Sequence, residues 1–392
     1  MAATAGIDRI ENAIADIRAG KMVVLVDDED RENEGDLVIA AEKVDAEAIA
    51  FMATHGRGLI CLAMEGEQVD RIGLQPMANA NQAPLSTAFT ESLDAIDCEG
   101  SGASAHDRAL TILRAIAPDA TPGGFRTPGH VFPLRARRGG VLVRSGQTEG
   151  SVDLARLAGL HPSGVICELM APDGSMQRLD SLLQFGARHD IRVVTVADLI
   201  EHRIHHEPLV QLVAESRLPT PWATFDLRLF RADVDGSLHV ALVLGDVQTA
   251  APTLVRVHRS SLLGDALGLQ VARGRVHLEA AMQRIASEGR GVLLYLGARD
   301  EVQELAASLR SYVAREGGAP FPAPADKAKQ MDFQEFGIGA QILRALGLKQ
   351  LRLLTNSPRR LRAVSGFGLQ VVEWLPLRDV SASVSKVSGL SG

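Results

Sequence analysis

Apolar positions along the chain change rhythm at strand and helix spacing, and they do so in two blocks. Ile7, Ile10, Ile14 and Ile17 recur at helical spacing and predict an amphipathic helix over 7–19, closed by Gly20. The unbroken run Met22-Val23-Val24-Leu25-Val26 predicts a strand that ends abruptly in acid. Further helices are predicted over 45–54, 107–115, 152–160, 178–187 and 196–206, and strands over 58–63, 87–93, 164–170 and 192–196. Pro122-Gly123-Gly124 and Pro128-Gly129 read as turns, and 71–106 as loop-rich around its one strand. After a boundary near 206–220, strands are predicted over 222–230, 238–245, 253–258, 292–296, 351–354 and 369–374, with helices over 275–288 and 339–346. The Pro- and Ala-rich stretch 318–328 reads as an exposed loop, and the tail after Leu377 as frayed. The expected fold class is α+β: a mixed-sheet, layered α/β domain over 1–206, then a second α/β domain over 207–392.

Composition narrows the function classes. The chain has 392 residues, 46% hydrophobic and 23% charged, enough for two domains with sizeable cores. A net charge of −7 argues against broad phosphate-backbone binding, and 4% aromatics against a base-stacking platform, so no nucleic-acid partner is expected. No apolar run approaches the ~20 residues that span a bilayer, so no membrane partner is expected. Met1–Ala15 lacks a basic segment followed by an apolar core, so no signal peptide is expected. Cys61, Cys98 and Cys167 lie too far apart for a zinc knuckle, and three cysteines make no disulfide framework. A reducing, cytoplasmic setting is expected.

The densest chemistry is Asp27-Asp28-Glu29-Asp30-Arg31-Glu32-Asn33-Glu34-Gly35-Asp36. A strand ending in so many like charges folds poorly unless something positive neutralises them. Hard divalent cations take oxygen ligands and keep several waters, so one or two carboxylates suffice and the rest are free for acid–base work. The competing reading is a solvated acidic turn. Four other segments accompany the run: His55-Gly56-Arg57-Gly58-Leu59-Ile60-Cys61, Arg126 to Arg135, Gly139 to Glu149, and Gly164-Val165-Ile166-Cys167-Glu168. Taken singly, Cys61 and Cys167 read as core thiols, His130 as a turn histidine and Arg144 as a surface ion-pair partner. Glu168 inside an apolar strand is harder to dismiss, because a buried carboxylate is costly without a partner.

In this order the segments over 7–206 resemble the 3,4-dihydroxy-2-butanone-4-phosphate synthase family. The resemblance implies conversion of ribulose 5-phosphate, a small sugar phosphate, to 3,4-dihydroxy-2-butanone 4-phosphate and formate, with two Mg²⁺ or Mn²⁺ ions per site. It also implies a homodimer. By motif, Glu32 resembles the family's metal ligand. Asp27, Glu34 and Asp36 resemble its acid–base and loop carboxylates, and Arg31 and Cys61 line the site. His130 resembles the histidine beside the substrate, Arg144 and Thr148 resemble phosphate contacts, and Glu168 a late-acting acid–base group. Arg31, Asp36 and Glu168 count among the substrate contacts.

Two departures stand out. Gly146-Gln147-Thr148-Glu149-Gly150 has a glutamine where the family has a metal-binding histidine. Its amide oxygen suits a hard cation better than a transition metal, so Gln147 is the expected second ligand. Cys98-Glu99-Gly100-Ser101-Gly102 stands where the family has two threonines, and Glu99 adds a negative charge. Readings with another sugar phosphate, or with no catalysis, stay open beside the synthase. Residues about 222–377 resemble GTP cyclohydrolase II through Arg256-Val257-His258, Gly264-Asp265, Phe336 to Leu343 and Leu354 to Arg359. The three zinc cysteines of that family correspond to Ser261, Ala272 and Gly274, and Ala298 to Val302 replaces another of its motifs. No zinc and no GTP ring opening are expected there.

Overall fold

The computed structural model describes residues 8–28, 31–78, 81, 87–268, 274–297, 305–306, 309, 331–356 and 368–377. Glu29, Asp30, Ala272, the 298–302 replacement, the 318–328 stretch, Ser357 to Arg359 and the tail after Leu377 lie outside the described residues. The chain divides into two compact units, Met1–Arg203 and Ile204–Gly392.

The first unit is a seven-stranded mixed sheet with helices on both faces. In chain order the elements are α1 (Ile10–Arg18), β1 (Val23–Val26), β2 (Gly35–Ala40), α2 (Ala46–Phe51, continued by a π-helical turn Met52–Gly56), β3 (Cys61–Glu65), α3 (Gly66–Arg71), β4 (Leu93–Ala95), α4 (Ala105–Ile116), β5 (Phe125–Ala136), α5 (Gln147–Leu157), β6 (Ser163–Glu168), α6 (Leu179–His189), β7 (Arg192–Thr195) and α7 (Val196–His206). The strand order is β4-β5-β3-β6-β2-β1-β7. β1 is buried on both faces. Val24 and Val26 join one core with Ile49, Leu62 and Leu182, while Val23 and Leu25 join the other with Ile14, Ile17 and Leu154. α1 buries Ile10, Ala13, Ile14 and Ile17, the stripe its spacing predicts. Asp45 caps α2 by accepting from Ala48 N at 2.7 Å, and Ser104 caps α4 by accepting from Asp107 N at 3.0 Å.

Several features depart from the sequence expectation: the strand predicted over 87–93 is β4 at Leu93–Ala95, α3 lies outside the predicted elements, and three further departures bear on the site. β2 follows the acidic run at once and pairs antiparallel with β1, Val26 opposite Gly35, so the acids form a hairpin loop. Pro128-Gly129 lies inside β5 rather than at its end. β4 pairs with Val131 and then with Arg126, so residues 127–130 form a bulge between the two contacts. A Cβ on Gly129 would lie 2.1 Å from the Leu93 carbonyl carbon, which is why glycine stands there. Finally, α5 begins at Gln147, ahead of the predicted 152. Its first turns are buried on all sides although polar, so no amphipathic stripe marks them.

The second unit holds a sheet of order β14-β13-β11-β12-β10-β9-β8. Its strands are β8 (Val210–Pro219), β9 (Thr224–Ala232), β10 (Leu238–Leu244), β11 (Thr253–Arg259), β12 (Gly291–Leu296), β13 (Gln350–Leu354) and β14 (Gln370–Leu375). The β14 to β12 side is parallel and the β12 to β8 side antiparallel. α8 (Gly274–Glu288) covers one face through Ala281 and Ile285, which pack with Phe225 and Leu254. α9 spans Met331–Ala345. β8 fills the stretch read as a boundary; it is an edge strand exposed along most of its length, so no burial pattern announces it.

Candidate active site

The acidic loop is shaped by its own hydrogen bonds. The Asp27 carboxylate is buried and accepts from Glu34 N at 2.8 Å and Glu32 N at 3.3 Å. It also pairs with the Arg31 guanidinium. Asn33 turns the chain at φ +54, a conformation asparagine tolerates. From outside, Arg178 at the start of α6 donates Nη1 to the carbonyls of Glu32, at 2.8 Å, and Asn33, and lies 3.9 Å from the Glu34 carboxylate. This is a constructed loop, unlike the solvated acidic turn of the competing reading.

Behind the loop, two carboxylates face each other. Asp36 on β2 is opposite Glu168 on β6, and directly opposed residues of an antiparallel pair share a face. Burial, then the charges of Glu168, Glu32, Asp27 and Glu34, hold the Asp36 carboxyl well above the usual carboxylate range. Burial raises Glu168 as well, against the pull of Leu59 N–H, which donates to Oε2 at 2.8 Å. Burial and then Glu32 raise Glu34, with Arg178 opposing. Cys61 on β3 opposes Ile166, two residues before Glu168, and so lies on the same face as the pair. Burial, then Glu168 and Asp36, push its thiol far up. Burial likewise pushes Cys167 up to about 12. Both cysteines are therefore protonated thiols, Cys61 on the face of the carboxylate pair and Cys167 on the opposite face of the sheet. A cleft of about 420 Å³ opens beside the pair, with Glu34 and Glu168 in its lining and Arg57, Met170 and Met176 at its rim.

α5 brings the remaining groups to this face. Gln147, its first residue, is buried, and its Oε1 accepts from Arg31 Nη1 at 2.8 Å. Its Nε2 donates to the Glu34 carbonyl at 3.4 Å, which orients the amide oxygen inward. Glu32 Oε2 lies 2.7 Å from the same Arg31 nitrogen. Oxygens of Asp27, Glu32 and Gln147 thus converge on one cationic nitrogen. Among the described residues no three His, Cys, Asp or Glu side chains surround a common point. Here the three oxygens are taken up by Arg31; Glu32 and Gln147 are nonetheless oxygen donors of the type a hard divalent cation takes. Arg144 donates to Glu149 Oε2 at 2.6 Å and to Thr87 Oγ1 at 3.0 Å. A Cβ on Gly146 would lie 2.6 Å from Arg144 Nη1 and 3.0 Å from Arg31 Nη2, so two guanidinium groups flank the start of α5. Two guanidinium groups thus stand at a helix N-terminus with Thr148 in its first turn, and both are paired with carboxylates, Arg31 with Asp27 and Glu32 and Arg144 with Glu149.

His130 stands elsewhere. Its Nδ1 lies 2.8 Å from Asp94 Oδ2 and its backbone N donates to Asp94 Oδ1 at 2.8 Å. No described contact joins it to the Asp36–Glu168 pair. Gly102, at φ +93, crowds the same Asp94, since a Cβ there would lie 2.2 Å from Oδ2. The altered 98–102 loop therefore borders His130, and Glu99 in it is exposed. The structure gathers Asp27, Arg31, Glu32, Glu34, Asp36, Cys61, Gln147 and Glu168 on one side of the sheet, with Arg144 and Thr148 adjoining. Sequence reasoning missed Arg178, Asp94, Thr87 and Glu149, each of which holds a site residue in place. The partners of Asp94, Thr87 and Arg178 lie between 36 and 146 residues away, beyond the reach of any local pattern, and Glu149 lies 5 residues from Arg144 in a stretch with no apolar periodicity.

The 3,4-dihydroxy-2-butanone 4-phosphate synthase family model matches residues 11–202, and the GTP cyclohydrolase II model matches 211–376. A protein of Aquifex aeolicus named riboflavin biosynthesis protein RibBA is 50% identical over 373 residues, covering 94% of this chain and 92% of its own length. The chain belongs to the 3,4-dihydroxy-2-butanone 4-phosphate synthase family. Its second domain is of the GTP cyclohydrolase II type. A Pseudomonas aeruginosa synthase of that name is 47% identical over 370 residues, 94% of this chain and 99% of its own. The crystal structure of RibBX, described as a two-domain synthase from A. baumannii, matches with a TM-score of 0.76 at 41% identity, over 94% of this chain and 99% of that one. The fold class expected from sequence, two mixed-sheet α/β domains, is the one shared with this synthase. No helix among the described residues is long and apolar enough to cross a membrane.

Proposed function

We propose that the chain is the riboflavin-pathway lyase that turns D-ribulose 5-phosphate into 3,4-dihydroxy-2-butanone 4-phosphate and formate, with a Mg²⁺ or Mn²⁺ pair bound at its site. The observation that carries this reading is the Asp36–Glu168 pair, Asp36 buried and Glu168 half-buried, both raised in pKa and faced by the Glu32, Gln147 and Arg31 cluster. Glu32 and Gln147 would hold metal, which when bound polarises a carbonyl and lowers the cost of enediolate charge.

The protein's own groups account for the rest. Two adjacent carboxyls that resist ionisation together carry one proton between them, so one accepts while the other donates. Asp36 takes the proton alpha to the substrate carbonyl, and Glu168 acts in the later proton transfers. Glu34, raised but half-exposed, exchanges protons with the cleft. Asp27 keeps Arg31 and the loop backbone in place, and Cys61 closes the floor as a neutral thiol. Arg144, Thr148 and Arg31 take the phosphate. His130 acts at the far end of the substrate, and a homodimer would bring it there from the second subunit. In D₂O, Glu168→Gln should still exchange the alpha proton while releasing no formate, and Asp36→Asn should do neither. Loss of exchange in Glu168→Gln would overturn this division of labour.

The synthase domain is taken to run through His206, the end of α7, within a cytoplasmic enzyme. The second domain is read as non-catalytic. Ser261, at a former zinc position, spends its hydroxyl capping the next turn by accepting from Gly264 N at 3.1 Å. The Pseudomonas relative, matched over 99% of its length, carries the synthase name alone, which supports this reading, although an Arabidopsis thaliana relative is named as bifunctional.

A further inference from the structure

The strongest unused group in the first unit is a buried ion pair beneath the proposed phosphate contacts. Arg203, on α7, is 5% exposed. Its Nη1 donates to the Gly139 carbonyl at 2.8 Å and to Asp153 Oδ2 at 2.7 Å. Asp153, on α5, is 3% exposed, and the same Oδ2 accepts from Val141 N at 2.8 Å. Arg156 reaches its other oxygen at 3.5 Å. One guanidinium therefore ties α7, the 139–142 turn and α5 together. The turn closes over the pair without slack. Gly140 sits at φ +64, and a Cβ there would lie 2.3 Å from Asp153 Oδ2 and 2.6 Å from Arg203 Nη1.

What the pair holds is the frame of the proposed phosphate contacts. Arg144 leaves this turn, with its backbone N donating to the Gly140 carbonyl at 3.1 Å. Gln147 and Thr148 open α5, two turns before Asp153. The spacing between Arg144 and the first turn of α5 is thus set from below. We propose that Arg203, acting through Asp153 and the Gly139–Gly140 turn, is a positioning residue for the phosphate end of the substrate. The proposal rests on the assignment of Arg144 and Thr148 to the phosphate. Arg203 touches no substrate. One nitrogen, Nη1, reaches a carbonyl and a carboxylate at once and is held by the rigid guanidinium plane, whereas a lysine ammonium sits on a more flexible stem. Anion recognition by donors on two elements depends on their separation, so a small loosening weakens binding more than turnover.

The test uses the full chain with Mg²⁺. Arg203→Met, Arg203→Lys and Arg144→Met are compared with the parent for kcat, KM for ribulose 5-phosphate, competitive inhibition by inorganic phosphate, and melting temperature. Arg203→Met should raise KM and the phosphate inhibition constant together by about tenfold, with kcat changed less than about threefold; Arg203→Lys should fall between it and the parent. Should Arg203→Met not fold, Arg203→Lys, which leaves Asp153 partnered, is read alone against the parent. A lowered melting temperature with KM and phosphate inhibition at parent values overturns the proposal while leaving the phosphate assignment standing. Unchanged KM and phosphate inhibition in Arg144→Met overturns the assignment itself, and the proposal with it.

Discussion

Gly58→Ala is the sharpest small perturbation of the site. A Cβ on Gly58 would lie 2.4 Å from Glu168 Oε2 and 2.7 Å from both the nitrogen and the carbonyl oxygen of Glu168. A real Cβ needs about 3.4 Å, so the backbone contacts alone demand a shift of about 0.7 Å (3.4 − 2.7). The strand cannot yield freely. Glu168 is paired with Asp36 on β2, and Leu169 N donates to the Gly35 carbonyl at 2.9 Å. The carboxylate must therefore move relative to Asp36 and part from Leu59 N. Misplacing a reacting group by about 1 Å costs on the order of 10²-fold in rate, or about 2.7 kcal/mol of barrier. Overpacking costs a further ~1–3 kcal/mol of stability. The assay is formate release from ribulose 5-phosphate, with a thermal melt to show that the variant is folded. Gly124→Ala is the control, because nothing lies within 4 Å of its Cβ position. A folded Gly58→Ala enzyme with kcat/KM within about threefold of the parent would refute the placement of Glu168 at the centre of the chemistry.

Three further outcomes follow from the same geometry. In the metal-free protein Asp36 and Glu168 hold protons more tightly folded than unfolded. That stabilisation is complete below the unfolded values near 4 and is lost as pH rises through the raised folded values, so melting temperature should fall as pH rises above about 4. Asp36→Asn should flatten this decline, and a decline left unchanged contradicts the Asp36–Glu168 pair. Gln147→Leu should raise the Mg²⁺ concentration needed for half-maximal activity by about 10- to 100-fold; an unaltered requirement would remove Gln147 from the metal site. Purified protein should contain no stoichiometric zinc and turn over no GTP, whereas about one zinc per chain together with GTP turnover would show a working second domain.

The elements with clean periodicity were legible in the sequence. The Ile10–Ile17 stripe and the Val23–Val26 run each report which face is buried, and α7 was read with its observed limits. β2 was not, because Asp36 interrupts the apolar pattern at the one position where the strand carries a buried acid. The start of α5 escaped for a related reason: Gln147, Thr148 and Glu149 are buried against polar partners, so hydropathy treats them as loop. The acidic loop could be recognised as a donor set from residue types alone. How it is held could not, since Arg178 reaches it from 146 residues away and Gln147 from 116. Asp94 is likewise an ordinary strand acid until the β5 bulge brings His130 onto it.

The most direct measurement is formate released from ribulose 5-phosphate by the purified full chain with Mg²⁺, alongside the same protein in chelator and with other sugar phosphates. The account predicts one formate per substrate consumed, formed with 3,4-dihydroxy-2-butanone 4-phosphate, abolished by chelator and confined to ribulose 5-phosphate. Metal-loaded, folded protein that releases no formate from it, or that prefers another sugar phosphate, would contradict the assignment.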